Sequence, residues 1–297
     1  MKTIFAKFNR ERLPRFQTVT KIIKSSSGEC RAVKEALCDE AIPHIENMYS
    51  NYHGLLKKYP HMFLVEPALE REGLVSFPMA NGVSFERLMK EALENMDKTH
   101  FLLLLDKFIH YIDGFVKERG VEFKPCEEFK SVFGDWLIEG PQDIIEFANL
   151  DVIFSNLFLD SKGTITQIDY EWVFDFNMPK SLVLYWALSD FIIKTVGLDS
   201  GNELVETIFE KLNLSKDAID KLEDLKFSSM SFFFGEERKY FLNPVVCKKQ
   251  IRPYAELTRL RQSLRYRNEE VNMIYNSRSW WLTKPLRFLS RQIKKWS

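Results

Sequence analysis

Apolar and polar positions change period along this chain. Across residues 16–38, FQTVTKII and CRAVKEAL are rich in β-forming side chains and flank the turn-forming SSSG, which predicts two strands of a hairpin. In IPHIENMYSNYHGLLKKY the apolar residues Ile42, Ile45, Met48, Tyr49, Tyr52, Leu55 and Leu56 recur at the spacing of one helix face. Pro43 suits the first turn of that helix, where a missing N–H costs nothing. FLVEPAL and GLVSFPM, on either side of EREG, predict two short strands, so the first 80 residues read β-β-α-β-β. After ANGVS the pattern becomes helical. Ser84 is a candidate N-cap for FERLMKEAL, and residues 98–118 predict one long helix with Phe101, Leu104, Leu105, Phe108, Ile109, Ile112 and Phe115 on one side. Residues 120–148 give no assignable pattern. Residues 152–159 and 164–169 predict a hairpin turned by Asp160-Ser161-Lys162-Gly163. Helices dominate from Ser181 to about Leu225, and 253–275 is a further helical stretch dense in Arg and Glu.

These elements imply an α+β chain in three parts: a small β-rich part over 1–80, a larger helical part over 81–250, and a basic helical tail over 251–297. The first boundary falls near Met79–Ser84. The 297 residues suffice for one large or two medium domains, at about 100–200 residues each. With 45% apolar and 28% charged residues the balance is that of a soluble globular protein, and 25 phenylalanines imply a well-filled core. Zero net charge gives no whole-molecule attraction to nucleic acid, which is not an expected partner. Cys30, Cys38, Cys126 and Cys247 form no Cys-x-x-Cys pair, which fits a reducing cytosol. Apolar runs such as FLLLL are far short of the ~20 residues that span a bilayer. The N-terminal MKTIFAKFNRERLPRF holds no apolar stretch of signal-peptide length. Neither a membrane span nor an export signal is expected.

The candidate chemistry lies in NLDVIFSNLFLDSKGTITQIDYEW, residues 149–172. Phosphoryl transfer from ATP requires Mg²⁺ on the phosphates, a cation on their oxygens and a carboxylate near the attacking hydroxyl. A strand lysine, an Asp-x-x-x-x-Asn loop and a second Asp on a following strand supply these, and the chain has each in that order. Lys34 lies in AVKEAL, Asp151 and Asn156 have the four-residue gap, and Asp169 ends the next hairpin. That hairpin returns the chain, so Asp169 can approach Asn156. Singly, Asp151 and Asn156 are also ordinary turn residues, and Lys34 an ordinary surface lysine. Glu171 is either a second metal ligand or a solvated strand residue. Trp172 and Phe174 read as core. The histidines at 44, 53, 61, 100 and 110 lack metal-ligand spacing.

On these motifs the chain resembles the protein-kinase-like superfamily, in particular its aminoglycoside- and choline-kinase-like branch. LDVIFSNLF is similar to the family's His-Gly-Asp-x-x-x-x-Asn, IDYEW to its Ile-Asp-Phe-Glu, and VSFPMANGVSFERLM to its hinge. The resemblance covers roughly residues 15–230. It implies a bilobal fold, ATP and Mg²⁺ as cofactors, and a set of roles. Asp151 would accept the proton of the attacking hydroxyl. Asn156 and Asp169 would hold Mg²⁺. Lys34 would hold the phosphates and be held in turn by Glu46, with Glu40 as second choice. The backbone around Phe77–Met79 would hold the adenine. The chain departs from the pattern in two places: Asn149 stands where the family has histidine, and NRERLPRF replaces a Gly-rich loop. Arg10, Arg12 and Arg15 are candidate phosphate contacts there.

A narrower resemblance concerns the acceptor. IDYEWVFDFNMPKSLVLYWAL is similar to the kinase domains of bacterial O-antigen chain-terminating methyltransferase/kinase enzymes, and YNSRSWWLTKPLRFL to a tail on glycosyltransferases of surface-polysaccharide synthesis. These imply a kinase for a sugar hydroxyl on a lipid-linked glycan. The alternatives are a pseudokinase scaffold among glycosyltransferases, and a small-molecule kinase for choline, ethanolamine or a free sugar. From Val271 to Ser297 there are six basic residues and no acidic one. Leu286, Leu289, Ile293 and Trp296 recur at helical steps, with Arg287, Arg291, Lys294 and Lys295 on other faces. A basic amphipathic helix with tryptophans predicts binding to an anionic membrane surface or a partner protein. The expected location is cytoplasmic, peripheral on the inner face of the bacterial inner membrane.

Overall fold

The computed structural model describes residues 2–195, 203–239 and Arg267. The helix expected over 253–275 and the amphipathic tail lie outside these residues. All described elements belong to the first of two compact units, Met1–Lys249.

The N-terminal part is built on a five-stranded antiparallel sheet. Its strands are β1 (Lys2–Phe8), β2 (Thr18–Lys24), β3 (Cys30–Ala36), β5 (Ala68–Arg71) and β6 (Leu74–Pro78), in the order β1-β2-β3-β6-β5. Helix α1 (Ile42–Lys58) packs against it, with Ile45, Met48 and Leu55 buried. The apolar spacing read from the sequence therefore marks the face that docks on the sheet. Strand β4 (Phe63–Leu64) instead pairs in parallel with a strand of the C-terminal part.

Past Met79 come β7 (Val83–Ser84), α2 (Phe85–Glu94), α3 (Lys98–Asp113), β8 (Val116–Val121), α4 (Glu127–Phe133), β9 (Gln142–Ile145), β10 (Ala148–Asn149), β11 (Leu157–Leu159), β12 (Ile165–Gln167), β13 (Val173–Phe174) and β14 (Met178–Pro179). The chain then runs through α5 (Lys180–Thr195), α6 (Glu203–Lys211), α7 (Lys216–Phe234) and α8 (Glu236–Lys239). The Ser84 hydroxyl accepts the Arg87 N–H, and so caps α2 as expected. The result is the two-lobed α+β organisation expected from the sequence, β-rich first and helical second. Among the described residues no helix is long and apolar enough to cross a membrane.

Several elements differ from expectation. Strand β1 was not foreseen; all seven of its residues are exposed, so pairing with β2 defines it and not burial. FLVEPAL divides into β4 and β5, which serve different sheets. The helix expected to reach residue 118 stops at Asp113; Gly114 closes it and Val116–Val121 pairs with β9. The unassigned stretch 120–148 holds α4, β9 and β10, pieces of two to seven residues, too short to express a period. Helix α7 continues past Leu225 to Phe234.

One apolar core runs through the C-terminal part. Phe85, Phe101, Phe108, Phe129, Phe133 and Phe154 are fully or almost fully buried in it.

Candidate active site

The expected hairpin forms, with β11 paired to β12 through Leu157↔Gln167 and Leu159↔Ile165. Its turn closes as Asp160 donates its N–H to Thr164 O (3.1 Å), with Gly163 at φ +83°, a conformation that suits glycine. The loop ahead of it is a single 3₁₀ turn, Phe154–Asn156. Phe154 lies inside the Asp-x-x-x-x-Asn gap, and its ring packs on Phe108 at 4.7 Å and Phe191 at 5.1 Å. The loop is thereby pinned to α3 and α5.

Asp151 and Asp169 are joined by backbone and side-chain bonds. Strands β10 and β13 pair antiparallel, and Leu150 donates its N–H to Trp172 O at 2.9 Å. The Asn149 amide accepts the Asp151 N–H (2.8 Å) and donates to Asp169 O (3.3 Å). One buried side chain, standing where the family pattern has histidine, thus holds both aspartates. Asn156 donates to Asp151 O at 3.0 Å and its carbonyl accepts the Ile168 N–H at 2.8 Å. Asp169 has φ +61°. This left-handed conformation is uncommon for a non-glycine residue, though aspartate adopts it more readily than most.

Lys34 reaches this cluster from the middle of the N-terminal sheet. It pairs with Thr20 on β2 and Val75 on β6, and is buried. Its ammonium donates to both Asp169 oxygens, at 2.7 and 2.6 Å, and to Glu171 at 2.9 Å. Carboxylate oxygens of Asp151, Asp169 and Glu171 lie within 4.8 Å of one another.

Burial and crowding set the charges. Burial pushes the Asp151 carboxyl well above its ordinary range, and the charges of Asp169 and Glu171 add to this. Burial opposes the charge on Lys34, but Asp169, Glu171 and Asp151 outweigh it and hold the ammonium above the usual lysine range. Burial likewise opposes the charge on Glu171, yet Lys34, Arg12 and His44 hold it well below the usual carboxylate range.

The remaining expectations fare unevenly. Glu46 is not the partner of Lys34; the lysine binds Asp169 and Glu171 instead. The α1 residue that faces the site is His44, whose Nε2 meets Glu171 Oε1 at 2.7 Å. At about 100° per residue, Glu46 lies about 200° round the helix from it. Glu40, the second choice, is exposed on the turn before α1. Glu171 is no solvated strand residue, being 5% exposed. Phe77 is opposite Ala32, on the same face of β3 as Lys34, and its ring lies 6.0 Å from that of Tyr170. Met79 follows β6 and is half-exposed. Arg12 bonds Glu171, with its guanidinium 5.2 Å from the Trp172 ring centre. Arg15 stacks on Phe16 and Phe232, and Arg10 lies over Phe8. Trp172 packs among Phe16, His44 and Phe233, as a core residue does.

Sequence reasoning missed Asn149 and His44. His44 left one signal: it falls on the buried face of α1, one turn before Met48, where a polar side chain requires a partner.

The donors that converge here are the carboxylate oxygens of Asp151, Asp169 and Glu171, a set that suits a hard divalent cation such as Mg²⁺, and the Asn156 amide is tied to the Asp151 carbonyl next to them. No family model and no curated protein matches this chain. Among solved structures it is similar to choline kinase LicA from Streptococcus pneumoniae, at 14% identity and TM-score 0.44, over 82% of this chain and 88% of that one. It is also similar to a thermostable mutant of aminoglycoside phosphotransferase APH(4)-Ia, at 10% identity and TM-score 0.44, over 86% and 96%. A third is amicoumacin kinase hAmiN in complex with AMP-PNP and Ca²⁺, at 10% identity and TM-score 0.40, over 79% and 85%.

Proposed function

We propose that this chain is an ATP-dependent phosphotransferase with an alcohol group as acceptor. The observation that carries the reading is the convergence of the partly buried Asp151 and Asp169 and the buried Lys34 from three separate segments. Nothing about folding requires it, because three crowded carboxylates repel one another and a hydrophobic replacement would cost less.

In this reading Asp169 and the Asn156 amide would hold Mg²⁺, and the ion would supply charge neutralisation at the phosphate oxygens. Lys34 would exchange Asp169 for the phosphates, which would leave Asp169 free to hold the ion. Asp151 orients the acceptor hydroxyl and takes its proton. Burial keeps this carboxylate more basic than a solvated one, which suits a general base. The backbone past Phe77 meets the adenine.

The acceptor we propose is a sugar hydroxyl of a lipid-linked surface glycan, worked on at the inner face of a bacterial membrane. The stretch IDYEWVFDFNMPKSLVLYWAL and the basic, tryptophan-bearing tail support it. One observation favours the scaffold alternative: both Asp169 oxygens are engaged by Lys34, an arrangement that a chain without catalysis would keep.

Incubation with γ-labelled ATP, Mg²⁺ and either lipid-linked glycan or free choline, ethanolamine and sugars tests the reading. Label in the glycan supports it. Label in a free small molecule alone assigns a small-molecule kinase, and label in neither assigns a scaffold.

A further inference from the structure

Glu171 has three basic partners, and all come from the N-terminal lobe. Oε1 accepts from Arg12, in the segment between β1 and β2, and meets His44 Nε2 of α1 at 2.7 Å. Oε2 accepts from Lys34 of β3 at 2.9 Å. The partners are 159, 127 and 137 residues away in sequence. Asp169 touches only Lys34 among them, and Asp151 takes the Trp172 N–H at 2.9 Å. Of the three clustered carboxylates, Glu171 alone is engaged by cations on both oxygens from several elements.

In the reading above Lys34 gives up its two bonds to Asp169, of three in all, in exchange for the phosphates. Until the phosphates take their place the buried ammonium depends on its one remaining partner, and an unpaired buried charge is strongly disfavoured. A carboxylate that stays on it through the exchange is needed. Helix α1 was expected to supply it, but presents His44 there instead of Glu46.

We infer that Glu171 is the positioning residue for Lys34. It takes the place of a helix carboxylate, and His44 and Arg12 hold it to α1 and to the N-terminal segment. Glu171 is then not a metal ligand, although it lies beside two carboxylates. The link from α1 to Lys34 survives in two steps, through His44 and Glu171. Arg12 contributes by fixing Glu171 from the far side, and its stacking on Trp172 fixes Arg12 in turn.

This inference rests on the phosphotransferase reading, and its test separates the two. A non-hydrolysable ATP analogue and Mn²⁺ are titrated by calorimetry into the full-length wild type, Glu171→Gln, Asp169→Asn and Arg12→Met. Each analogue titration is run at saturating metal, and each metal titration at fixed analogue. Glu171→Gln should weaken the analogue about tenfold or more, the scale of one charged hydrogen bond, with the metal requirement unchanged. Asp169→Asn should raise the metal requirement. Arg12→Met should weaken the analogue in the same direction as Glu171→Gln by a smaller factor. Its side chain is at the edge of the site, so it tests the inference if Glu171→Gln does not fold. A metal requirement raised by Glu171→Gln as much as by Asp169→Asn would make Glu171 a ligand and overturn the inference alone. Wild-type affinity in both Glu171→Gln and Arg12→Met would also overturn it. Failure of the wild type to bind analogue with Mn²⁺ would overturn the phosphotransferase reading, and this assignment with it.

Discussion

Asp151 is held at three points: its N–H on the Asn149 amide, its carbonyl on the Asn156 amide, and its carboxylate on the Trp172 N–H. A side chain so fixed suits a role that depends on direction. Asp151→Ala should therefore lower transfer by about a hundredfold or more, the range for a lost general base, while nucleotide binding persists. Single-turnover transfer beside equilibrium binding checks this; equal loss of both would contradict it. Asp151, Asn156 and Asp169 could be grouped from the sequence because short intervals and one hairpin bring them together, whereas Lys34, whose bonds to Asp169 and Glu171 cross 135 and 137 residues, entered only through the order of the motifs. Arg12, His44 and the anchoring of Glu171 were not, because each depends on a contact across more than a hundred residues. Asn149 was legible only as a departure from a pattern, and its two hydrogen bonds show how the departure is accommodated.

Among the elements, the loop from Asp151 to Asn156 depends on Phe154. Phe154→Ala removes a ring packed on Phe85, Phe108 and Phe191, and should destabilise the fold by about 3–5 kcal/mol. Denaturant unfolding measures this, and Phe154→Leu should recover a large part of the loss. A second test concerns the packing of α5 on α7. Lys226 donates to Ser189 at 2.7 Å and lies over the Trp186 ring. Burial pushes its ammonium down to about 8, against 10.5 for an ordinary lysine. Between those values the unfolded chain binds more protons than the folded one, so stability rises with pH through that window and is lowest below it. Lys226→Met lacks this rise. Unfolding midpoints of both proteins across pH 7 to 11 should diverge in that sense, and parallel profiles would contradict the assignment.

Element type was legible wherever one face is buried over several turns, as in α1, α2 and α3. It failed where burial does not report structure. Strand β1 buries none of its residues, and the end of α3 is set by Gly114 and the pairing of β8, which the apolar residue Phe115 conceals.

At the scale of the molecule, the lobes are joined by a shared apolar core, by polar contacts at the site and by few strands. Strand β4 pairs with β12, Tyr170 donates its hydroxyl to Val65 O at 2.5 Å, and Glu171 gathers Arg12, Lys34 and His44. The order of a β-rich and then a helical part was legible from the change of period near Met79–Ser84. The route of individual strands between sheets was not, since pieces of two or three residues have no pattern of their own. A site that joins the lobes in this way should respond as a unit to nucleotide and metal. Calorimetric titration of ATP into wild type and Asp169→Ala, with and without Mg²⁺, tests this most directly. The account predicts Mg²⁺-dependent binding in wild type that is lost in the variant. Binding of the same strength in both proteins, or none in a well-folded wild type, would contradict it.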